Sequence, residues 1–68
     1  MKEIKIHSEY ITLGQLIKYL GIVNTGGEIK AFLSENSVFV NEMPENRRGK
    51  KLYPGDFVQI SSKKFKIV

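Results

Sequence analysis

The sequence contains no cysteine and no tryptophan, and it has only two prolines and one histidine, His7. Without cysteine the chain forms neither a disulfide nor a thiolate metal site, and a single imidazole does not hold zinc. No apolar run approaches the roughly 20 residues that a membrane-spanning helix needs, and no signal-peptide pattern follows Met1. These absences predict a cytoplasmic protein without metal, cofactor or membrane partner.

The chain is short, with 68 residues, and it is basic. A chain of about 60 residues buries only roughly 60% of its unfolded surface, so one domain over residues 1–68 is predicted. Eleven Lys and Arg against seven Asp and Glu give a formal net charge of +4. This excess favours an anionic partner if the cations gather on one face, and indicates only a soluble surface if they do not.

Two amphipathic helices are predicted in the first half of the chain. Thr12 and Gln15 have the spacing of a capping box, and Gly21 ends the first helix. Its apolar stripe is Leu13, Leu16, Ile17 and Leu20. The second helix is predicted from about Gly26 to Glu35, with Thr25 as N-cap and with Ile29, Phe32 and Leu33 on its apolar face. Asn36 is expected to stop it in the left-handed conformation, and the short connection makes the pair a hairpin.

Short alternating segments predict the sheet. The expected strands cover residues 2–6, 38–40, 57–60 and 63–68. Val38 and Val40 point to one side and Phe39 to the other, while turns are expected at residues 41–44 and at Pro54-Gly55-Asp56. The predicted fold class is α+β, a two-helix hairpin packed on a small antiparallel sheet.

Three short motifs follow one another between residues 12 and 60. They are Leu20-Gly21-Ile22, then Val38-Phe39-Val40-Asn41, then Pro54-Gly55-Asp56-Phe57-Val58-Gln59-Ile60. In order and spacing they resemble the S4 RNA-binding domain, in which a helix ending Leu-Gly-Leu, a second helix, Val-x-Val-Asn-Gly, Gly-Asp and a strand occur in turn. In length and layout the chain is similar to small stand-alone bacterial S4-like proteins of the YaaA type.

The resemblance implies a monomeric, non-catalytic protein that binds structured RNA, ribosomal RNA above all, through the helix hairpin and the adjoining loop. The chain has Thr12, Gly14 and Gly26 where the family usually has Arg, Asp and Arg. The predicted RNA-binding residues are Thr12, Gln15, Lys18, Thr25, Gly26, Gly27, Lys30, Asn41, Arg47, Arg48, Lys50 and Lys51.

The residues themselves support several of these assignments. Four cations within residues 47–51, around Gly49, can follow phosphates without reading a base sequence. Gly26 and Gly27 leave the N–H groups of a helix start uncovered for a phosphate, although two glycines also simply allow a tight turn. Asn41 is equally explained by its tolerance of turn geometry.

Two classes of function remain, RNA binding and a non-catalytic scaffold. Tyr10, Tyr19 and Tyr53 are candidates for stacking on exposed bases, with half-buried packing as the alternative. The sequence has no P-loop, nucleophile elbow or metal-ligand spacing, so no enzyme is predicted. The alternative to RNA binding is a non-catalytic scaffold that docks through its sheet on a ribosomal or replication partner. Clustering of the cations on one face favours RNA, and dispersal favours the scaffold.

Overall fold

The computed structural model describes all 68 residues, which form two helices and seven strands. In chain order the elements are β1 (Lys2–Ile4), β2 (Ile11–Thr12), α1 (Leu13–Tyr19), α2 (Gly26–Glu35), β3 (Val38–Val40), β4 (Met43–Pro44), β5 (Lys51–Leu52), β6 (Phe57–Ile60) and β7 (Lys63–Ile67). Five strands lie in the order β1-β7-β6-β3-β4, and β2 pairs with β5 in a separate two-stranded ladder. The α+β prediction of a helix pair and a small sheet is confirmed.

The sheet is antiparallel except at one edge. β1 runs parallel to β7, with Lys2 opposite Phe65 and Ile4 opposite Ile67. The strand ends at Ile4, before the predicted boundary at Ile6. Two further bonds continue the pairing, from the Ile6 N–H to the Val68 carbonyl and from the Val68 N–H to the Ile4 carbonyl, both 2.9 Å.

The first helix begins and ends as predicted. The Thr12 hydroxyl accepts from the Gln15 N–H at 3.2 Å, and the Gln15 side-chain oxygen accepts from the Thr12 N–H at 2.9 Å. Gly21 has a φ of 77°, and its N–H donates to the Lys18 carbonyl at 3.0 Å. A residue without a side chain adopts this left-handed conformation at little steric cost, so the chain turns sharply into the helix connection.

The second helix ends at the predicted residue but by a different mechanism. Asn36 is extended, with φ −127° and ψ 149°, so the expected left-handed conformation is wrong. Both its backbone N–H and its side-chain amide donate to the Phe32 carbonyl, each at 3.0 Å. Because these bonds satisfy a helix-end carbonyl without a left-handed residue, the chain passes directly into β3.

One hydrophobic cluster of 14 buried side chains joins the helices to one face of the sheet. The helices contribute Leu13, Leu16, Ile17, Ile29 and Leu33, and the sheet contributes Ile4, Val38, Val40, Val58, Ile60, Phe65 and Ile67. The predicted alternation in β3 is confirmed, since Val38 and Val40 are buried and Phe39 is only half-buried. Neither α1, with 7 residues, nor α2, with 10, meets the length and hydropathy of a membrane-spanning helix.

A two-residue turn joins β3 to the edge strand β4, because Val40 pairs with Met43. Asn41 and Glu42 both have positive φ, 50° and 71°, as the type I′ hairpin turn requires. Asn tolerates this conformation well, whereas the side chain of Glu is unfavourable in it. Glu42 therefore stores strain in the turn.

Replacing Glu42 by glycine is expected to raise the free energy of unfolding by about 0.5–1 kcal/mol, because glycine adopts a positive φ without strain. Urea unfolding followed by circular dichroism measures the gain. The control is Glu42→Ala, which removes the carboxylate but keeps the Cβ, and we expect it to remain close to wild type. An equal gain in both variants would assign the effect to charge and contradict the backbone explanation.

Candidate nucleic-acid interface

The loop over residues 45–50, named here the basic loop, is held against the start of α1. The carbonyl of Arg48 accepts from the Gly14 N–H and that of Lys50 accepts from the Leu13 N–H, both at 2.8 Å. The first N–H groups of a helix have no partner within it, so the loop satisfies two groups that would otherwise need water or a ligand. The loop backbone is fixed while the Arg48 side chain stays exposed.

Gly14 allows this close approach. A Cβ at this position would lie 3.3 Å from both the Cβ and the carbonyl oxygen of Arg48, and 3.5 Å from a methyl group of Ile29. A side chain here would crowd the loop, which would have to shift by a few tenths of an ångström. The absence of a side chain at Gly14 thus permits direct docking of the loop on α1.

The docked loop brings two cations into one groove. Lys30 of α2 and Arg48 line one shallow groove of about 280 Å³, together with Leu33 and Asn46. Lys50 follows in the loop, and Lys51 pairs with Thr12 in the β2–β5 ladder. The first turn of α1 carries no acidic residue. We call the four residues Lys30, Arg48, Lys50 and Lys51 the basic face.

Arg47 differs from its neighbours because it is paired. Its Nε lies 2.9 Å from one Glu45 carboxylate oxygen, and its Nη2 lies 3.0 Å from the other. These hydrogen bonds lower the pKa of Glu45 from 4.5 to about 2, against an opposing effect of burial, and they raise the pKa of Arg47. The structure therefore does not place Arg47 among the free cations of the loop.

Glu45→Gln is expected to reduce the decrease in the free energy of unfolding that occurs between pH 4.5 and about 2. Since the folded-state pKa of Glu45 is depressed, its stabilisation is complete above the unfolded pKa and disappears as the pH falls through the folded one. Urea unfolding of both proteins at about pH 7 and about pH 3 measures the stability that each loses on acidification. The other carboxylates titrate in both proteins, so the difference between the two losses reports Glu45. Identical acid losses would show that the pair does not stabilise the fold.

The start of α2 is open but already carries a carboxylate. A Cβ on Gly26 or Gly27 would meet no atom within 4 Å, and both residues are exposed. Thr25 accepts from the Glu28 N–H at 3.3 Å and donates to the Glu28 carboxylate at 3.1 Å. Glu28 thus supplies negative charge where a phosphate was predicted. Phosphate binding at the start of α2 stays a prediction, and a phosphate there would compete with the Glu28 carboxylate.

The remaining predicted residues lie apart from the basic face or are engaged in the fold. Thr12 and Gln15 bond to each other, and Lys18 is exposed in the last turn of α1. Asn41 donates to Asp56 at 3.1 Å and accepts from the Phe57 N–H at 2.9 Å. It therefore ties the β3–β4 turn to the turn before β6, which favours the structural interpretation of this residue.

Comparison with known proteins agrees with this architecture. The family model of the S4 domain matches residues 4–68. The chain belongs to the S4 domain family. A relative from Bacillus subtilis (strain 168), named probable ribosome maturation protein RlbA, is 54% identical over 57 residues, which cover 84% of this chain and 80% of the relative. The resemblance inferred from the three motifs is confirmed.

Two features of this S4 domain surface were not predicted. Asn46 lines the groove of Lys30 and Arg48, and Glu45 binds Arg47. The opposite charges of Glu45 and Arg47, two positions apart, were the available signal for the ion pair. Asn46 has no such signal, because the groove exists only once the loop has docked on α1.

Proposed function

We propose that this S4 domain binds structured RNA, ribosomal RNA in particular, through phosphate contacts made by the basic face. The observation that carries the proposal is the groove that Lys30 and Arg48 share, with Lys50 and Lys51 following along the chain where the basic loop docks on α1. The name of the Bacillus subtilis relative refers to ribosome maturation, which supports a ribosomal RNA as the partner.

The fixed loop backbone suits phosphate binding. A loop that is already ordered loses less conformational freedom on association than a flexible one, so more of the contact energy appears as affinity. Lysine and arginine contacts to phosphates position a protein without reading bases, and recognition of paired RNA then depends on helix shape. We therefore propose that the domain recognises a folded RNA element and not a base sequence.

Fluorescence anisotropy with a labelled, structured ribosomal RNA fragment and a DNA duplex of equal length tests the proposal. Across a salt series, four phosphate contacts give a log–log slope of about −3 to −4, with the RNA bound more tightly than the DNA. Arg48→Ala should reduce the slope by about 1, whereas the matched variant Arg47→Ala should change it little because Arg47 is paired with Glu45. Equal affinity for RNA and DNA, or no binding at low salt, would overturn the proposal.

The scaffold hypothesis has one observation in its favour. The helices cover only one face of the five-stranded sheet, and on the other face Phe57 is 45% exposed and lines a groove with half-buried Phe39. Exposed aromatic side chains of this kind occur at protein interfaces. Failure of RNA binding, combined with a partner contact that Phe57→Ala abolishes, would favour the scaffold.

A further inference from the structure

Two tyrosines face each other at the end of the β2–β5 ladder. Tyr10 precedes β2 and Tyr53 follows β5, and the register of the ladder places Ile11 opposite Leu52. The ring centroids of Tyr10 and Tyr53 lie 5.8 Å apart, with an angle of 50° between the ring planes. This tilted arrangement is a favourable one for an aromatic pair.

The pair is held at the surface. The Tyr53 N–H donates to the Asp56 carboxylate at 2.8 Å, and the Tyr10 carbonyl accepts from the Ser8 hydroxyl at 2.8 Å. Between the tyrosines, Leu52 is fully buried and anchors the ladder. Tyr10 remains 36% exposed and Tyr53 42% exposed. The backbone at both tyrosines is therefore held, although neither ring belongs to the hydrophobic core.

A cation completes the arrangement. The Lys51 ammonium lies 4.9 Å from the centroid of the Tyr10 ring, within the range of a cation–π contact. Lys51 also belongs to the basic face, so the aromatic pair continues directly from the proposed phosphate contacts. Because Lys51 occupies one side of the Tyr10 ring, Tyr53, the more exposed residue of the two, is the one available to a planar ligand.

We propose that Tyr53, supported by Tyr10 and Lys51, is a stacking site for an unpaired RNA base beside the phosphates that the basic face binds. The inference rests on the proposed RNA-binding function and adds a class of ligand to it: an RNA helix with a single-stranded neighbour. Unpaired bases stack readily on aromatic side chains, and a lysine next to the ring neutralises the phosphate that accompanies the base. Tyr53 contacts the base, whereas Tyr10 is a positioning residue.

The probe is an RNA hairpin with short single-stranded extensions, compared with the same hairpin whose extensions are abasic. Both probes carry the same phosphates, so their difference in affinity isolates the bases. Wild type should bind the base-containing probe about tenfold more tightly. Tyr53→Leu, which keeps an apolar side chain but removes the ring, should abolish this difference, and Tyr53→Phe should retain it.

Phe57→Ala is the matched control. Phe57 is an exposed ring with the Lys66 ammonium 5.6 Å from its centroid, but it lies on β6 of the five-stranded sheet. Its removal should leave the preference for bases unchanged. Since the chain has three tyrosines and no tryptophan, quenching of tyrosine emission by the base-containing probe alone is a second readout.

The outcomes separate the two proposals. Salt-dependent binding of both probes with equal affinity would overturn the stacking site and leave the phosphate contacts standing. No binding of either probe would overturn the proposed function and the stacking site with it. A preference for bases that Tyr53→Leu retains, or that Phe57→Ala removes, would also overturn the assignment to Tyr53.

Discussion

The variant Arg48→Ala/Lys50→Ala/Lys51→Ala is expected to bind structured RNA about a hundredfold more weakly at about 0.1 M salt than wild type does. Its log–log salt slope should be smaller by about 2–3, because three phosphate contacts and their released counterions are lost. The fold should survive, since Arg48 and Lys50 hold α1 through their backbone carbonyls, which alanine also has. Anisotropy titrations across a salt series measure both quantities.

A second triple variant separates local from overall charge. Lys63→Ala/Lys64→Ala/Lys66→Ala removes the same number of charges from β7, which lies between β1 and β6 in the five-stranded sheet. We expect it to weaken RNA binding far less. If both triple variants lose affinity equally, the net charge of the protein and not the basic face attracts RNA. Circular dichroism spectra of both variants establish that each is folded.

Leu52→Ala is expected to lower the free energy of unfolding by about 2–4 kcal/mol, since it leaves a cavity under the β2–β5 ladder. Leu52 has no exposed surface, and it lies between the basic face and the tyrosine pair. In a domain of this size the loss corresponds to a decrease in Tm of more than about 10 °C. Thermal and urea unfolding followed by circular dichroism give the two values.

The control for this variant is Tyr19→Ala, which removes a side chain that is 68% exposed on α1. Exposed substitutions outside special sites change stability by roughly 0.5 kcal/mol at most. A loss below about 1 kcal/mol in Leu52→Ala would mean that the ladder repacks around the missing side chain. The basic loop would then depend less on this anchor than its burial indicates.

Local signals in the sequence predicted much of the fold. Thr12 and Gln15 marked the start of α1 because a capping box needs only those two residues at that spacing. Pro54 and Gly55 marked a turn because proline fixes one φ and glycine supplies the positive one, here 101°. Asn36 marked the end of α2. Its extended conformation accompanies a hydrogen bond from its side chain to the Phe32 carbonyl, and the presence of an Asn alone does not predict that bond.

The candidate site was less predictable because it depends on contacts between distant residues. The cations of the basic loop were evident from composition alone. The spacing of Glu45 and Arg47 was a local signal for their ion pair, whereas the groove shared by Lys30 and Arg48 arises only in the folded chain. The loop docks on α1 through backbone groups, so Gly14 permits the contact without identifying its distant partner in the sequence.

The parallel pairing of β1 with β7 affects the order in which the protein folds. It places Lys2 opposite Phe65, so the two strands meet only after nearly the whole chain has been closed into a loop. Closing a long loop costs more entropy than forming a helix hairpin, whose contacts are local. We therefore expect the hairpin to form early and the β1 edge late. During synthesis on the ribosome, residues 2–4 therefore remain unpaired until β7 has emerged.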